Sequence, residues 1–218
     1  MPNETPNRCR LVLVAPSGAT PDVLSAQFAR AVEGGDIASL ILPQYDLDEV
    51  SFQKQAQAVA PIAQQAGVAL VLAGDSRVAG RVGADGIHID GRASELSDAV
   101  ERWGGKLIVG AGGATTRDEA LELGEVQPDY VFFGRFGKDT QPEPHRRNLS
   151  LGSWWAEMIE VPCIVLGGSD PASVEAVAAT GAEFVALSSA VFGEGTEPGA
   201  AVARANEILD ATAPRFEE

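Results

Sequence analysis

The stretch "CIVLGGSDPASVEAVAATGAEFVALSSAVF", Cys163 to Phe192, holds two short apolar runs separated by a helix-like segment. The first run ends in Gly167-Gly168 and the second in Ser188-Ser189. Neither run alternates apolar with polar residues. A strand apolar at every position is covered on both faces, as in a parallel sheet flanked by helices. Pro171 stands where a first helical turn begins, a position whose N–H has no intrahelical partner in any case. The stretch therefore reads as strand, helix, strand, with each strand ending in small residues.

The same grammar extends upstream. Further apolar runs are "CRLVLVA" (Cys9 to Ala15), "IASLILP" (Ile37 to Pro43), "VALVLAG" (Val68 to Gly74) and "GIHI" (Gly86 to Ile89). "KLIVGAG" (Lys106 to Gly112) and "YVFFG" (Tyr130 to Gly134) follow. Ala-rich amphipathic segments lie between them, such as "TPDVLSAQFARAVEGG" from Thr20, "SFQKQAQAVAPIAQQAG" from Ser51 and "TTRDEALELG" from Thr115. Several open at a capping residue and close at Gly, the usual start and stop signals of helices. Pro61 inside the second of them predicts a kink or break. "GADGIHI" and "GAEFVAL" each place an acid just before a strand, a repeat of the β/α grammar rather than chemistry.

Eight strand–helix pairs in 218 residues predict an α/β fold, a (β/α)8 TIM barrel, as one domain over residues 1–218. The competitor is a doubly wound open sheet, which often carries a Gly-rich turn after its first strand. Here that turn reads "APSGATPD", without GxGxxG.

The totals narrow the function. A formal net charge of −15 repels nucleic acid and anionic lipid, so neither is expected as a partner. Cys9 and Cys163 each begin an apolar run and read as buried strand thiols, not as a disulfide framework. No apolar stretch reaches membrane-spanning length, and a reduced, cytoplasmic protein is expected. A homo-oligomer is left open.

In a barrel, ligands bind where the strands end. Glycine lets backbone approach a ligand closely, and "SSAVF" opens a short helix whose first N–H groups lack partners. Loops after the seventh and eighth strands commonly hold a phosphate. Gly167, Gly168, Ser188 and Ser189 are therefore the candidate phosphate-binding residues, and a phosphorylated small molecule is the expected partner. A tight turn plus a helix cap would account for the same residues without a ligand.

"GADGIHI", "LIVGAGGATTRDEALELGEVQPDYVFFG" and the stretch from Val161 to Phe192 are similar to thiamine phosphate synthase and its relative, the thiazole tautomerase. The similarity spans about Gly67 to Phe192. It implies the (β/α)8 barrel and a reaction: a thiazole phosphate displaces pyrophosphate from a hydroxymethylpyrimidine pyrophosphate, assisted by Mg²⁺. It also implies that Gly167, Gly168, Ser188 and Ser189 contact the thiazole phosphate. The other half of the pattern departs from the family. A Gln-x-Arg-x-Lys pattern after the second strand becomes "LPQYDLDE", which keeps Gln44 alone. Asn-Asp after the third strand becomes Gly74-Asp75, and His-x-Gly-Gln-x-Asp after the fourth becomes "HIDGRA", with Ala93 at the second metal position. Asp90, three residues earlier, is the substitute. The tautomerase histidine after the fifth strand is absent, with Thr115 nearest to it.

Asp75 and Asp90 are thus the candidate metal and acid/base residues, with Mg²⁺ the expected cofactor. Arg77 and Arg92 follow them closely, so simple ion pairs would account for each acid equally well. The loop "GRFGKDTQPEPHRRNLS" gathers cations on an acidic chain. Lys138 matches a family lysine that reaches the pyrophosphate, and is the third catalytic candidate. Arg135, His145, Arg146 and Arg147 form a candidate lid over an anion, against the plainer reading of a solvated loop. His88, inside an apolar run, reads first as a hydrogen-bonded core histidine. Trp154-Trp155 supply one core residue and one against the barrel wall.

A Schiff-base aldolase is poorly supplied, since Lys54 falls on a helix and Lys106 at the wrong end of a strand. A metal-dependent epimerase lacks histidines, with only His88 near the rim. Three functions stay in play: a divergent thiamine phosphate synthase, a related phosphate-binding barrel with altered chemistry, and a non-catalytic phosphate-ligand-binding protein.

Overall fold

The computed structural model describes residues 6–216. Eight parallel strands close into a barrel in sequence order: β1 (Arg10–Val14), β2 (Ser39–Pro43), β3 (Ala69–Ala73), β4 (Gly86–Asp90), β5 (Ile108–Gly112), β6 (Tyr130–Phe133), β7 (Cys163–Leu166) and β8 (Phe184–Leu187). β8 pairs with β1, so no sheet edge is left exposed.

Each helix lies after its strand. These are α1 (Pro21–Val32), α2 (Glu49–Ala66), α3 (Ser76–Val82), α4 (Ala93–Trp103), α5 (Arg117–Gly124) and α6 (Arg146–Met158). α7 (Val174–Ala178) follows a single 3₁₀ turn, and α8 (Ser189–Phe192) and α9 (Pro198–Thr212) complete the ring. The caps follow the residues. Thr20 accepts from Val23 N–H, and Thr116 with Glu119 forms a reciprocal capping box at α5. Gly67 and Gly83 end α2 and α3 in the left-handed conformation. α2 runs through Pro61 without a break, contrary to the sequence expectation. Pro61 sits on the exposed face, where water can reach the Gln57 carbonyl that loses its N–H partner. No helix among the described residues is long and apolar enough to cross a membrane.

Alternate positions on each strand serve two cores, which is why the runs are continuously apolar. Leu11 and Leu13 of β1 pack outward beneath the helices, while Val12 and Val14 point inward. The inner set also includes Ile41, Val71, Tyr130, Phe132, Ile164, Leu166 and Ala186. Trp155 is fully buried and donates to Val161 O at 2.6 Å, while Trp154 packs at the margin. Both cysteines are buried and unpaired, as the sequence led us to expect. Burial pushes the Cys9 thiol up to about 12.

The acids that precede strands have a structural purpose. Asp85, before β4, accepts from Leu70 N–H of β3 at 2.8 Å. Asp129, before β6, accepts from Val109 N–H of β5 at 2.7 Å. Glu183, before β8, accepts from Cys163 N–H of β7 at 2.8 Å. Asp36, before β2, takes a two-pronged contact from Arg10 of β1 at 2.9 and 2.7 Å. Each even-numbered strand thus begins with a carboxylate clasping the odd-numbered strand before it, and satisfies a donor at the barrel's lower rim.

Candidate functional site

The upper rim, where the strands end, holds a cavity of about 550 Å³. β2, β3, β4 and the loop after β6 build it. Asp90, Glu95, Arg135 and Lys138 are its charged lining residues, with Tyr45, His88 and Phe136 as its aromatic wall. A groove of about 760 Å³ lies at the opposite rim, between α2 and α3. Its acid, Asp85, is already committed to Leu70 N–H, so we place the chemistry at the upper rim.

Three candidates meet in the mouth: Asp90, Arg135 and Lys138. Asp90 is exposed at the end of β4, yet the walls of the mouth desolvate its carboxyl enough to raise it above its ordinary value, while nearby Arg135 pulls it down. Asp90 makes no ion pair with Arg92 among the described residues, so it stays open to a ligand.

Asp75 sits differently. Its carboxylate caps α3 through Arg77 N–H at 2.9 Å and takes Arg77 Nη2 at 2.5 Å and Nε at 3.0 and 3.1 Å. Those hydrogen bonds hold Asp75 down at about 2. Arg77 reaches on to Glu49 at 2.9 Å, and Glu49 also pairs with Arg81. Gln44 is likewise engaged: Oε1 accepts from Asp75 N–H and Nε2 donates to Leu47 O, both at 2.9 Å.

The cationic loop divides in two. Arg135 and Lys138 reach the mouth, while His145, Arg146 and Arg147 stand at the start of α6. The His145 ring caps that helix, accepting from Arg147 N–H at 3.2 Å. Arg146 lines a separate groove with Glu143 and Asp170.

The opposite side of the rim carries Gly167, Gly168, Ser188 and Ser189. The backbone donors of Gly167, Gly168 and Ser189 bond within the chain. Gly167 N–H donates to Ala186 O and Gly168 N–H to Ser173 Oγ, both at 2.9 Å. Ser189 N–H donates to Asp139 Oδ2 at 2.6 Å. The loop after β6 lies across this side, with Ser169 N–H donating to Gln141 O at 2.7 Å. Gly168 is required there, because a Cβ would strike the Pro142 carbonyl. Asp139 is only 4% exposed, and its Oδ1 has no hydrogen-bond partner. A loop carboxylate thus rests at the N–H that the sequence offers to a phosphate.

Sequence reasoning weighed the cations of this loop and passed over Asp139, whose burial no periodic pattern announces. It also missed Tyr45, which has a left-handed φ of 47° and donates to Ala15 O at 2.9 Å. The signal available was its place beside Gln44 after a strand. His88 is buried and hydrogen-bonded, with Nδ1 2.9 Å from Tyr130 Oη, and burial holds its ring down at about 3.

The family model described as thiamine monophosphate synthase matches residues 11–191. The chain is 31% identical to the thiamine-phosphate synthase of Rhodospirillum centenum over 92% of its own length and 98% of the relative's. It is 29% identical to that of Hyphomonas neptunium over 94% and 96% of the two chains. The thiamine phosphate pyrophosphorylase structure from Pyrococcus furiosus superposes with a TM-score of 0.77 at 21% identity, covering 95% of this chain and 98% of that one.

Proposed function

The chain belongs to the thiamine monophosphate synthase family, and on that premise we propose that it joins a thiazole phosphate to a hydroxymethylpyrimidine pyrophosphate, releasing pyrophosphate. The observation that carries this reading is the convergence of Asp90, Arg135 and Lys138 on one cavity at the end of the barrel where such chemistry is built.

The reaction forms a bond from the thiazole nitrogen to the pyrimidine's methylene carbon and breaks that carbon's bond to oxygen. The bonding pair leaves with pyrophosphate. Negative charge grows on the leaving oxygen, so groups aimed at it accelerate the step more than groups binding both states equally. Arg135 and Lys138 are the fixed cations available for it. Lys138 matches the lysine that the family brings on this loop, and Arg135 stands in for the cations that the family pattern has after β2.

Bound Mg²⁺ would neutralise part of that developing charge. The ion uses one or two carboxylates and completes its shell with water and substrate phosphates. Asp90, with Glu95 on the same wall, fits this donor set. Asp75 joins it only after giving up Arg77, because both of its oxygens are committed.

The thiazole phosphate belongs at Gly167, Gly168, Ser188 and Ser189, with Asp139 displaced from Ser189 N–H as the anion arrives. The loop after β6 then links the two half-sites, since it carries Arg135 and Lys138 toward one and Asp139 into the other.

The test is direct. Purified protein is incubated with both substrates and Mg²⁺, and thiamine phosphate is measured by chromatography. Product that depends on all three components is expected. No product at enzyme concentrations matching the substrates would overturn the reading, and thiazole phosphate binding without turnover would point to a binding protein instead.

A further inference from the structure

Asp139 opposes the phosphate whose place it holds. Its side chain is buried, and its Oδ2 takes Ser189 N–H at 2.6 Å. Its Oδ1 is one of two buried side-chain polar atoms among the described residues that lack a hydrogen-bond partner. A buried acceptor left unpaired costs free energy, and in a native fold it calls for a reason.

The residue stands on the partition between the two half-sites. Its chain neighbour Lys138 lines the mouth with Arg135, while Ser189 belongs to the other half. Tyr45, on the mouth's aromatic wall, senses it: burial first, and then the Asp139 charge, push the tyrosine hydroxyl up to about 12. The strap that carries Asp139 is pinned on both sides of it. Lys138 N–H closes a turn onto Arg135 O at 3.1 Å, with Gly137 at a left-handed φ of 70°. Further along, Gln141 O takes Ser169 N–H at 2.7 Å. A phosphate that takes Ser189 N–H therefore turns the Asp139 side chain aside without carrying it off the partition, and both carboxylate oxygens are then free.

The reaction separates charge. The thiazole nitrogen gives its lone pair to the methylene carbon, the carbon–oxygen bond breaks, and that bonding pair leaves with pyrophosphate. No proton moves. Negative charge gathers on the leaving oxygen, while positive charge gathers on the methylene carbon and then on the ring nitrogen. The neutral thiazole ends as a thiazolium cation. Charges along the strap follow the same order. Arg135 and Lys138 line the cavity of the leaving group, and Asp139, one residue on, lies on the side from which the thiazole comes. None of the three is in an ion pair among the described residues.

We propose that Asp139 is a further catalytic residue, whose carboxylate stabilises the positive charge forming on the thiazole ring once the phosphate has taken Ser189 N–H. This rests on the synthase reading given above. A carboxylate fixed in a site shielded from water acts strongly on a charge that appears only as the new bond forms. It hinders the arriving phosphate, and it favours the charged ring of the transition state and product. Asp139 therefore weakens ground-state binding and speeds the chemical step.

Thamine phosphate is compared with its analogue carrying a neutral thiophene in place of the thiazolium, so that ring charge is the main difference. Calorimetric titration of the wild-type protein should show thiamine phosphate binding about tenfold more tightly. Asp139→Asn keeps the shape and removes the charge, so it should bind the two alike, with urea unfolding to check that it is folded. In steady state it should lower kcat about tenfold with no rise in the KM for thiazole phosphate, a split that a purely structural lesion does not give. Equal affinity of the wild-type protein for the two ligands, a preference that survives in folded Asp139→Asn, or an unchanged kcat in that variant overturns this inference and leaves the synthase reading standing. A wild-type protein that makes no thiamine phosphate overturns both.

Discussion

Replacing Asp139 with alanine should tighten phosphate binding. In the closed loop the carboxylate takes Ser189 N–H at 2.6 Å in a nearly water-free setting. A hydrogen bond to a charged group there contributes roughly 1.5–3 kcal/mol. An incoming phosphate must displace that bond and also meets the repulsion of a second anion. Removing the carboxylate leaves the loop's other tie, Ser169 N–H to Gln141 O, in place. The gain converts to roughly tenfold to hundredfold tighter binding of thiazole phosphate. Folding stability should fall by roughly 1–3 kcal/mol as Ser189 N–H loses its acceptor, partly offset by removal of Oδ1, a buried acceptor with no partner. Calorimetric titration at fixed ionic strength measures the affinity, and urea unfolding checks the fold. Asp139→Asn keeps an acceptor without the charge and should fall between the two. If a fully folded Asp139→Ala binds phosphate no better than the parent, anion and carboxylate do not compete for one seat, and the phosphate site must be sought elsewhere.

Asp129→Ala and Glu183→Ala each strand a strand N–H and should cost roughly 1–3 kcal/mol in urea unfolding; unchanged midpoints would mean water replaces the clasp. Asp90→Asn should lower turnover on the order of 100-fold, and Asp75→Asn much less, because Asp75 is spent on Arg77; the reverse order in steady-state rates would return the metal to Asp75. Stability should also fall in acid. His88 is held at about 3 in the fold against an ordinary value near ~6.5, so the unfolded chain binds the extra proton. Its contribution is complete above the unfolded value and drains away as pH drops toward the folded one, by up to about 5 kcal/mol. His88→Phe should flatten that part of the pH–stability curve, and an unchanged slope would show that other groups set it.

The barrel was legible because its strands are apolar at every position and its helices carry their caps in the sequence. Thr116 with Glu119, and Gly67 after Ala66, announce their own geometry within a few residues. The site was half legible. Asp90, Arg135 and Lys138 could be expected to share the rim because they stand at or after strand ends, and they line one cavity there. What stayed hidden depends on contacts distant in sequence. Tyr130 lies 42 positions from the histidine it orients, and Asp139 lies 50 positions from the serine amide it meets. No local period encodes such pairs. Pro61 misled for the opposite reason: its local rule is real, but the lost bond lies on the wet side of the helix.

The clasps at the lower rim join strands in couples, first with second, third with fourth, and so on round the ring. A barrel stitched in this way is a ring of four double units rather than eight equal staves. New chain ends opened between couples would leave every stitch whole, whereas ends opened inside one would part its two strands. Rearranged versions of this chain should therefore tolerate cuts ahead of odd-numbered strands and resent those ahead of even-numbered ones.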